Sequence, residues 1–328
     1  MTSLTLTCIG RQQNTHDVVS WQLVPLSGSL PPVLAGQCIT LHTEIDGQPE
    51  CRAYTLSSSP QDACWQVTIK DVGRVSRHLH QTLQVGDKIR VDGPFGDFNL
   101  TALPCERPLL LSAGSGITPM WAMLRDELAK RPDADIRFIH SARSPADVIF
   151  ADDLATLAAA HSGVRHALIL EEAPTAHPWV GRLTPAMLAE LAPDLRGRHV
   201  YLCGPAPYMA AVRTMLTELG LPPEQLHQES FGLPPAEPAT TSDHFWLTLK
   251  KSGKKVKILP GQTLLAALEA AGETIMAACR AGVCGSCRCT TTGDIERQSV
   301  MTLSAQDLES GVALACSCTA KGDISLDY

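Results

Sequence analysis

Cys279, Cys284 and Cys287 stand in one short stretch, Cys279-Arg280-Ala281-Gly282-Val283-Cys284-Gly285-Ser286-Cys287, and Cys316 follows in Ala313-Leu314-Ala315-Cys316. A C-x4-C-x2-C spacing with a distant fourth thiol is the ligand pattern of a [2Fe–2S] cluster. Three thiolates converging from one loop need backbone that wraps closely and aims N–H groups at sulfur, which suits Ala281, Gly282, Gly285 and Ser286. A zinc knot or scattered core cysteines are the other readings. Zinc sites pair C-x2-C with a second such pair, and no second pair follows here. Cys289 and Cys318 lie two residues beyond Cys287 and Cys316. In extended chain each shares a face with the ligand before it, as a reserve ligand or as a small buried side chain.

A second constellation lies nearer the start. Arg52-Ala53-Tyr54-Thr55 sets a cation, a ring and a hydroxyl at i, i+2 and i+3. Those types suit a flavin nucleotide: a cation for pyrophosphate, a ring to stack, a donor for the ring edge. A solvated strand charge and a half-buried strand aromatic are the plain alternatives. Val67-Thr68-Ile69-Lys70 adds a strand, with Ile69 and Lys70 as further candidates for the same site. Gly73-Arg74-Val75-Ser76 reads as a glycine turn into a short helix whose first N–H groups make an anion site. Ser76 could equally cap that helix. His78 and His80 point in different directions and read as surface residues.

Glycine turns between a strand and a helix recur twice. Leu109-Leu110-Leu111-Ser112 feeds Ala113-Gly114-Ser115-Gly116-Ile117-Thr118-Pro119 and a helical stretch over 120–130. This is a dinucleotide-binding half-unit, although such turns also occur for steric reasons alone. Cys203-Gly204-Pro205-Ala206-Pro207-Tyr208 repeats the punctuation at a later strand end, where open parallel sheets bind ligands. Cys203 would then lie beside a nicotinamide, or be only a small strand-end residue. Arg143 is the one cation placed to meet a 2′-phosphate. Asp147 follows it and no second cation is close in sequence, which favours NADH over NADPH.

Three kinds of element must position these groups. Residues 1–103 carry short apolar runs (18–24, 37–42, 65–69, 88–91) between Gly, Pro, Asp and Ser clusters, the mark of an antiparallel barrel or sandwich. The stretch 93–98 reads as a closing loop. Residues 104–230 alternate strands (109–112, 136–140, 166–170, 200–203) with helices (151–160, 185–191, 208–219), which argues for a parallel α/β sheet. A Pro/Ala/Thr-rich linker spans 231–243. In 244–328 a hairpin (245–250 and 254–259 around Ser252-Gly253) and a helix over 263–271 precede the cysteine loop.

At 328 residues the chain is long enough for two or three domains. No basic n-region, apolar h-region or membrane-length apolar run is present, so a cytoplasmic, reducing environment is expected and no membrane partner. Residues 244–328 hold nine Lys+Arg against eight Asp+Glu, and the remainder 18 against 26, the source of the net −7. With 5% aromatic residues and no basic stripe, nucleic acid is not an expected partner. The run Lys250, Lys251, Lys254, Lys255 and Lys257 reads as a solvated hairpin, or a dock for an acidic partner.

Taken together, Arg52-x-Tyr54-Thr55, Gly73-x-Val75-Ser76, Ala113-Gly114-Ser115-Gly116-Ile117-Thr118-Pro119, Cys203-Gly204-Pro205 and the cysteine loop resemble the ferredoxin-reductase superfamily. Within it, they resemble the subgroup with a fused C-terminal plant-type ferredoxin. The resemblance covers nearly the whole chain, with Thr55 where many members have Ser. It implies a flavin barrel, a nucleotide-binding α/β domain and an α+β, β-grasp-like ferredoxin. It also implies FAD (with FMN as the alternative), a [2Fe–2S] cluster held by Cys279, Cys284, Cys287 and Cys316, and NADH. Phe231, in Glu229-Ser230-Phe231, falls where the family sets an aromatic against the flavin. Thr55 would donate near the flavin N5, Arg52 would pair with the pyrophosphate, and Thr118 and Cys203 would line the nicotinamide pocket. Ser286 replaces a further family cysteine and is expected to touch no ligand.

Arg143-Ser144-Pro145-x-Asp147-Val148-Ile149-Phe150, Gly181-Arg182-Leu183-Thr184 and Met301-Thr302-Leu303 most resemble reductases serving the hybrid cluster protein. Reductase components of Rieske-type oxygenases share the domain order and many of the motifs. The implied activity is transfer of electrons from NADH through FAD and cluster to an acceptor protein, hybrid cluster protein first, an oxygenase component as the alternative. A redox sensor without turnover is the different class. It would leave two nucleotide-binding modules idle.

Overall fold

The computed structural model describes residues 2–174, 176–231, 244–280, 282, 284–299 and 302–328. The expected linker past Phe231, and Ala281, Val283 and Met301 of the quoted motifs, lie outside the described residues. By its contacts the chain divides into two compact units, Met1–Thr43 with Tyr54–Ser230, and Glu44–Ala53 with Phe231–Tyr328.

The first sheet uses β1 (Thr2–Thr15), β2 (Val18–Pro25), β3 (Cys38–Ile45), β4 (Gln48–Thr55) and β5 (Trp65–Lys70). Helix α1 (Arg74–Thr82) then leads to β6 (Lys88–Phe95). Its order is β4-β3-β6-β1-β2-β5. A bridge between Leu56, just past β4, and Val67 on β5 joins the two ends, so the sheet closes as a barrel with no free edge there. The fourteen-residue β1 is the strand that sequence reading missed. It pairs with both β2 and β6, yet its inward face carries only Leu6, Cys8 and Thr15 at full burial among threonines and glutamines. The stretch 93–98 is not all loop, because β6 runs on to Phe95.

The second sheet alternates β7 (Pro108–Ala113), α2 (Ile117–Lys130), β8 (Ile136–Ala142), α3 (Ala151–Ala160) and β9 (Val164–Leu170). It continues with α4 (Pro185–Leu191), β10 (His199–Cys203), α5 (Ala206–Glu218) and β11 (Leu226–Glu229). All four strand pairs are parallel, in the order β11-β10-β7-β8-β9. Every residue of β7 is buried, as a sheet covered on both faces requires. Leu110, Phe138 and Tyr201 pack with α2 and α3, while Leu109, Leu111, Ile139 and Leu202 pack with α4 and α5.

The amino-terminal edge of this sheet is tied by charge. Arg198, 1% exposed, donates to the carboxylates of Asp135 and Asp194. Arg107 and Arg137 bond to Asp194 as well. Hydrogen bonding from Arg198 outweighs burial and holds the Asp194 carboxyl well below the usual range. The opposite, carboxyl-terminal edge is left for ligands.

In the second unit, β12 (Phe245–Leu249), β13 (Lys255–Ile258), α6 (Leu264–Ala270), β14 (Arg288–Thr292) and β15 (Ile295–Arg297) come first. They are followed by α7 (Ala305–Glu309), β16 (Val312–Leu314), β17 (Cys318–Ala320) and β18 (Ile324–Asp327). Antiparallel β12–β13 and parallel β12–β18 make a mixed sheet, ordered β13-β12-β18-β14-β16. Thr263 caps α6 through its hydroxyl, which accepts from Ala266 N. The apolar face of α6 (Leu264, Leu265, Leu268) closes the core, and the cysteine loop runs between α6 and β14.

Candidate functional site

The four thiols chosen from spacing come together. Cys279 is 9% exposed, and Cys284, Cys287 and Cys316 are each 1%. Cys284 hydrogen-bonds to Cys279, and Cys316 hydrogen-bonds to both Cys279 and Cys287. Loop geometry explains the glycines. Gly282 has φ +73°, and a Cβ there would lie 2.7 Å from Ser299 Cβ and 2.8 Å from Ser317 Cβ. Gly285 also has positive φ, +71°, and Arg280 is a rarer non-glycine example at 55°.

Backbone amides aim at the sulfurs: Gly282 N–H at Cys316 Sγ (3.2 Å), Cys316 N–H at Cys287 Sγ (3.4 Å) and Ser286 N–H at Cys284 Sγ (3.5 Å). The bond to Cys279, then burial, pushes the Cys284 thiol up, and bonds to Cys279 and Cys287 do the same to Cys316. Cys287, hydrogen-bonded by Cys316, shifts down. Crowded, buried thiols of this kind ionise together only when a cation takes up their charge. Among the described residues no three His, Cys, Asp or Glu side chains are set to hold one metal ion. A two-iron cluster spreads its four thiolates over two metals, and the donor set and amide cradle fit it. Cys289 and Cys318 are core residues: Cys289 Sγ bonds to the Ala313 carbonyl (3.6 Å) and burial pushes it up to about 12.

In the first unit a cavity of about 400 Å³ opens at the carboxyl ends of β7 and β8. Its wall includes Lys70, Ala113, Gly114, Arg143, Pro205 and Tyr208, all singled out from sequence. The two glycine turns interlock behind it. A Cβ on Gly116 would lie 2.3 Å from the Cys203 carbonyl oxygen, and one on Gly204 would lie 2.8 Å from the Tyr208 ring. Gly114 has φ +52°. Thr118, 2% exposed, donates its hydroxyl to the Ser115 carbonyl (3.0 Å), so it fixes the turn; Pro119 is buried in the first turn of α2.

Two polar atoms of this region, Tyr208 OH and Ser141 Oγ, are buried and lie near each other without a well-formed hydrogen bond; Ser141 draws the Tyr208 phenol down against the larger upward push of burial. A ligand with donors and acceptors answers that need, and a dinucleotide fits. Ser141 was missed as a site residue because a strand-end serine carries no signal of its own. At the rim, Arg143 Nε lies 3.4 Å from Glu172 Oε1, and Arg182 Nε lies 3.3 Å from Glu171 Oε1.

Around the barrel's rim, Thr55, 4% exposed, has Oγ1 3.8 Å from Cys38 Sγ. The Cys38 thiol also donates to Glu229 Oε1 at 3.9 Å. Glu229 is the register partner of Cys203. Thr55, Cys38, Glu229 and Cys203 therefore converge from four strands. Burial above all, then Glu229 and Cys38, pushes the fully buried Cys203 thiol well up. Cys38 had no motif to announce it.

The remaining candidates lie on β4, on β5, at the start of α1 and at Phe231. Arg52 donates to the Cys51 carbonyl (2.6 Å) and lies 3.3 Å from Glu50 Oε2; Ala53 and Tyr54 follow it on β4. Ile69 is buried on β5, and Lys70 pairs with Asp17 (3.3 Å). Gly73 precedes α1, Val75 is buried in its first turn, and the Ser76 hydroxyl accepts from Val72 N and Gly73 N. Ser76 thus closes the turn. His80 is no surface residue: it bonds to the Ile69 carbonyl (2.9 Å) and meets the Trp21 ring edge-on at 5.2 Å. Phe231 is 45% exposed.

Ser286 corrects a further expectation. It does touch one of the four expected ligands: its Oγ lies 3.0 Å from Cys284 Sγ.

Comparison with known proteins agrees with this layout. Residues 15–100 match the oxidoreductase FAD-binding domain, 110–214 the oxidoreductase NAD-binding domain, and 247–321 the 2Fe-2S iron-sulfur cluster binding domain. The glycine betaine monooxygenase reductase subunit of Chromohalobacter salexigens is 36% identical over 305 residues, covering 86% of this chain and 83% of that one. NADH oxidoreductase HCR of Escherichia coli is 36% identical over 303 residues, covering 91% and 89%. Phthalate dioxygenase reductase, solved as a modular structure for electron transfer from pyridine nucleotides to [2Fe-2S], superposes with TM-score 0.66 at 25% identity, covering 99% and 98%. Among the described residues no helix is long and apolar enough to cross a membrane. With barrel, parallel nucleotide sheet and four-thiol loop in this order, the chain belongs to the ferredoxin-reductase-like FAD/NAD oxidoreductases with a C-terminal 2Fe–2S ferredoxin domain.

Proposed function

We propose that this protein is the reductase component of a Rieske-type oxygenase or demethylase, taking electrons from NADH and passing them through flavin and cluster to the oxygenase component. The observation that carries the choice of acceptor is the 36% identity to a glycine betaine monooxygenase reductase subunit over 83% of its length. A flavin takes the two electrons of a hydride together and releases them singly, as a one-electron cluster requires. In this proposal the modules are residues 1–103, 104–230 and 244–328, joined by 231–243.

The chain's own residues orient and exclude. Ala113, Gly114, Ser115, Gly116 and Pro119 shape the turn over which the dinucleotide lies, Thr118 holds that turn, and Gly204, Pro205 and Tyr208 form the facing wall. Cys203 and Thr55 would line the space between nicotinamide and flavin ring, and the first-turn N–H groups of α1 would meet the flavin pyrophosphate. Tyr54 would cover the flavin ring, and Ile69, Lys70, Gly73, Val75 and Ser76 would shape its bed. Glu172 opposite Arg143 favours NADH, because a 2′-phosphate would compete with a carboxylate for one guanidinium.

Hybrid cluster protein as acceptor is the second reading, favoured by the comparable identity to NADH oxidoreductase HCR. Anaerobically reduced protein is mixed either with a glycine betaine-type oxygenase component or with hybrid cluster protein. NADH consumption is followed with each partner's substrate, the betaine or hydroxylamine. Fast, partner-dependent turnover with the oxygenase supports the proposal; turnover only with hybrid cluster protein overturns it.

A further inference from the structure

Among the four candidate iron ligands, Cys284 receives a side-chain donor as well as a backbone one. Ser286 Oγ lies 3.0 Å from Cys284 Sγ, and the Ser286 backbone N–H is aimed at the same sulfur at 3.5 Å. The Ala278 N–H donates to Ser286 Oγ at 2.8 Å. That third contact decides the direction of the first. A serine hydroxyl has one hydrogen and two lone pairs, and the Ala278 amide occupies a lone pair on one side. Cys284 as an iron ligand is a thiolate with no hydrogen to give. The Ser286 hydrogen therefore points at Cys284 Sγ, and both donors of one residue converge on one ligand.

We propose that Ser286 is a positioning residue that sets the reduction potential of the cluster through Cys284. Reduction adds one electron, delivered from the flavin, and one negative charge to the iron–sulfur unit. A donor hydrogen bond to a ligand sulfur stabilises the more negative state more strongly. The hydroxyl thus makes the cluster easier to reduce. Donors at two of the other sulfurs, Gly282 N–H to Cys316 and Cys316 N–H to Cys287, come from backbone, which substitution cannot delete. The Ser286 hydroxyl is a donor that substitution can remove. The inference rests on the four-thiol cluster and is independent of which protein accepts the electron.

The test is an EPR-monitored redox titration of the full-length, cluster-loaded protein and its Ser286→Ala, Ser286→Thr and Ser286→Cys variants. Iron and sulfide content are checked in each. Ser286→Ala is expected to shift the midpoint negative, leaving about tenfold less reduced cluster at the same applied potential. Ser286→Thr, which keeps the hydroxyl, is expected to titrate with the parent. Ser286→Cys, with a weaker donor of similar size, falls between. A midpoint for Ser286→Ala equal to the parent's, with a full cluster, overturns the proposal. Should the alanine variant not retain its cluster, the cysteine variant decides, and a parent-like midpoint there overturns it equally. Failure of electron delivery to an oxygenase leaves these midpoints untouched, so the two proposals fail separately.

Discussion

Cys203 and Glu229 face each other across the parallel β10–β11 pair, at the carboxyl ends of both strands. This pairing puts a buried carboxylate, 8% exposed, beside a fully buried thiol. In the proposed function a nicotinamide seated there would gain positive charge as its hydride leaves, and a fixed negative charge nearby would stabilise that change. Replacing Glu229 by Gln should slow flavin reduction by NADH about tenfold, measured by anaerobic stopped flow, with a smaller effect on KM. Burial and Glu229 keep the Cys203 thiol protonated well past its ordinary range, so the rate should show no rising thiolate limb up to pH 9.

The pair Arg143–Glu172 is exposed, with side chains 76% and 69% accessible. Such pairs are worth only about 0.2–1 kcal/mol, and their effect on cosubstrate choice should be correspondingly modest. Glu172→Gln is expected to raise the NADPH-to-NADH ratio of kcat/KM about threefold by releasing Arg143 for a 2′-phosphate. An unchanged ratio would remove Glu172 from the account of specificity.

Gly116 leaves no room for a methyl group, the nearest atom to an added Cβ being the Cys203 carbonyl oxygen at 2.3 Å. Gly116→Ala should therefore push apart the two turns that shape the cavity. The expected variant binds flavin and cluster, is reduced by dithionite, and is reduced by NADH at least about a hundredfold more slowly, as misplacements of this size commonly cost. A near-normal NADH rate would show that the turns can shift freely.

His140 is fully buried on β8, its Nδ1 2.9 Å from Ser112 Oγ, and burial brings its pKa down to about 4. Unfolded histidine titrates near 6.5, so the unfolded chain binds the proton first. Stability from the neutral folded form is fully present above about pH 6.5 and is lost as pH falls towards 4, by up to about 3 kcal/mol. Thermal unfolding of the parent should fall across that window, and His140→Gln should flatten the fall. A parent midpoint that stays level between pH 6.5 and 4 would contradict this.

Much of the layout was legible in the sequence, for physical reasons. Leu109-Leu110-Leu111 and Val200–Cys203 announce buried parallel strands because both faces are covered, and the cysteine spacing is a direct copy of what a cluster needs. β1 hid because threonine and glutamine dominate a strand that is nonetheless central. The Cys38–Glu229 contact hid because 191 residues separate the partners, and no local signal reports such a meeting. Ser286 was misjudged because its contact with Cys284 depends on the positive-φ turn at Gly285. Ser76 and Thr118, chosen as ligand contacts, have hydroxyls already spent on their own turns. Both residues still help shape the site.

The central claim is a serial route, with the nucleotide cavity feeding the flavin and the four thiols holding the only exit to a protein acceptor. Cys284→Ser tests it most directly, through two rates measured on the same flavin-loaded preparation: NADH-dependent reduction of ferricyanide and of the oxygenase component. The expected result is loss of cluster absorbance and of electron delivery to the oxygenase, with ferricyanide reduction kept within about twofold of the parent. If delivery to the oxygenase persisted without the cluster, or if both rates vanished together with flavin still bound, the serial route would be wrong.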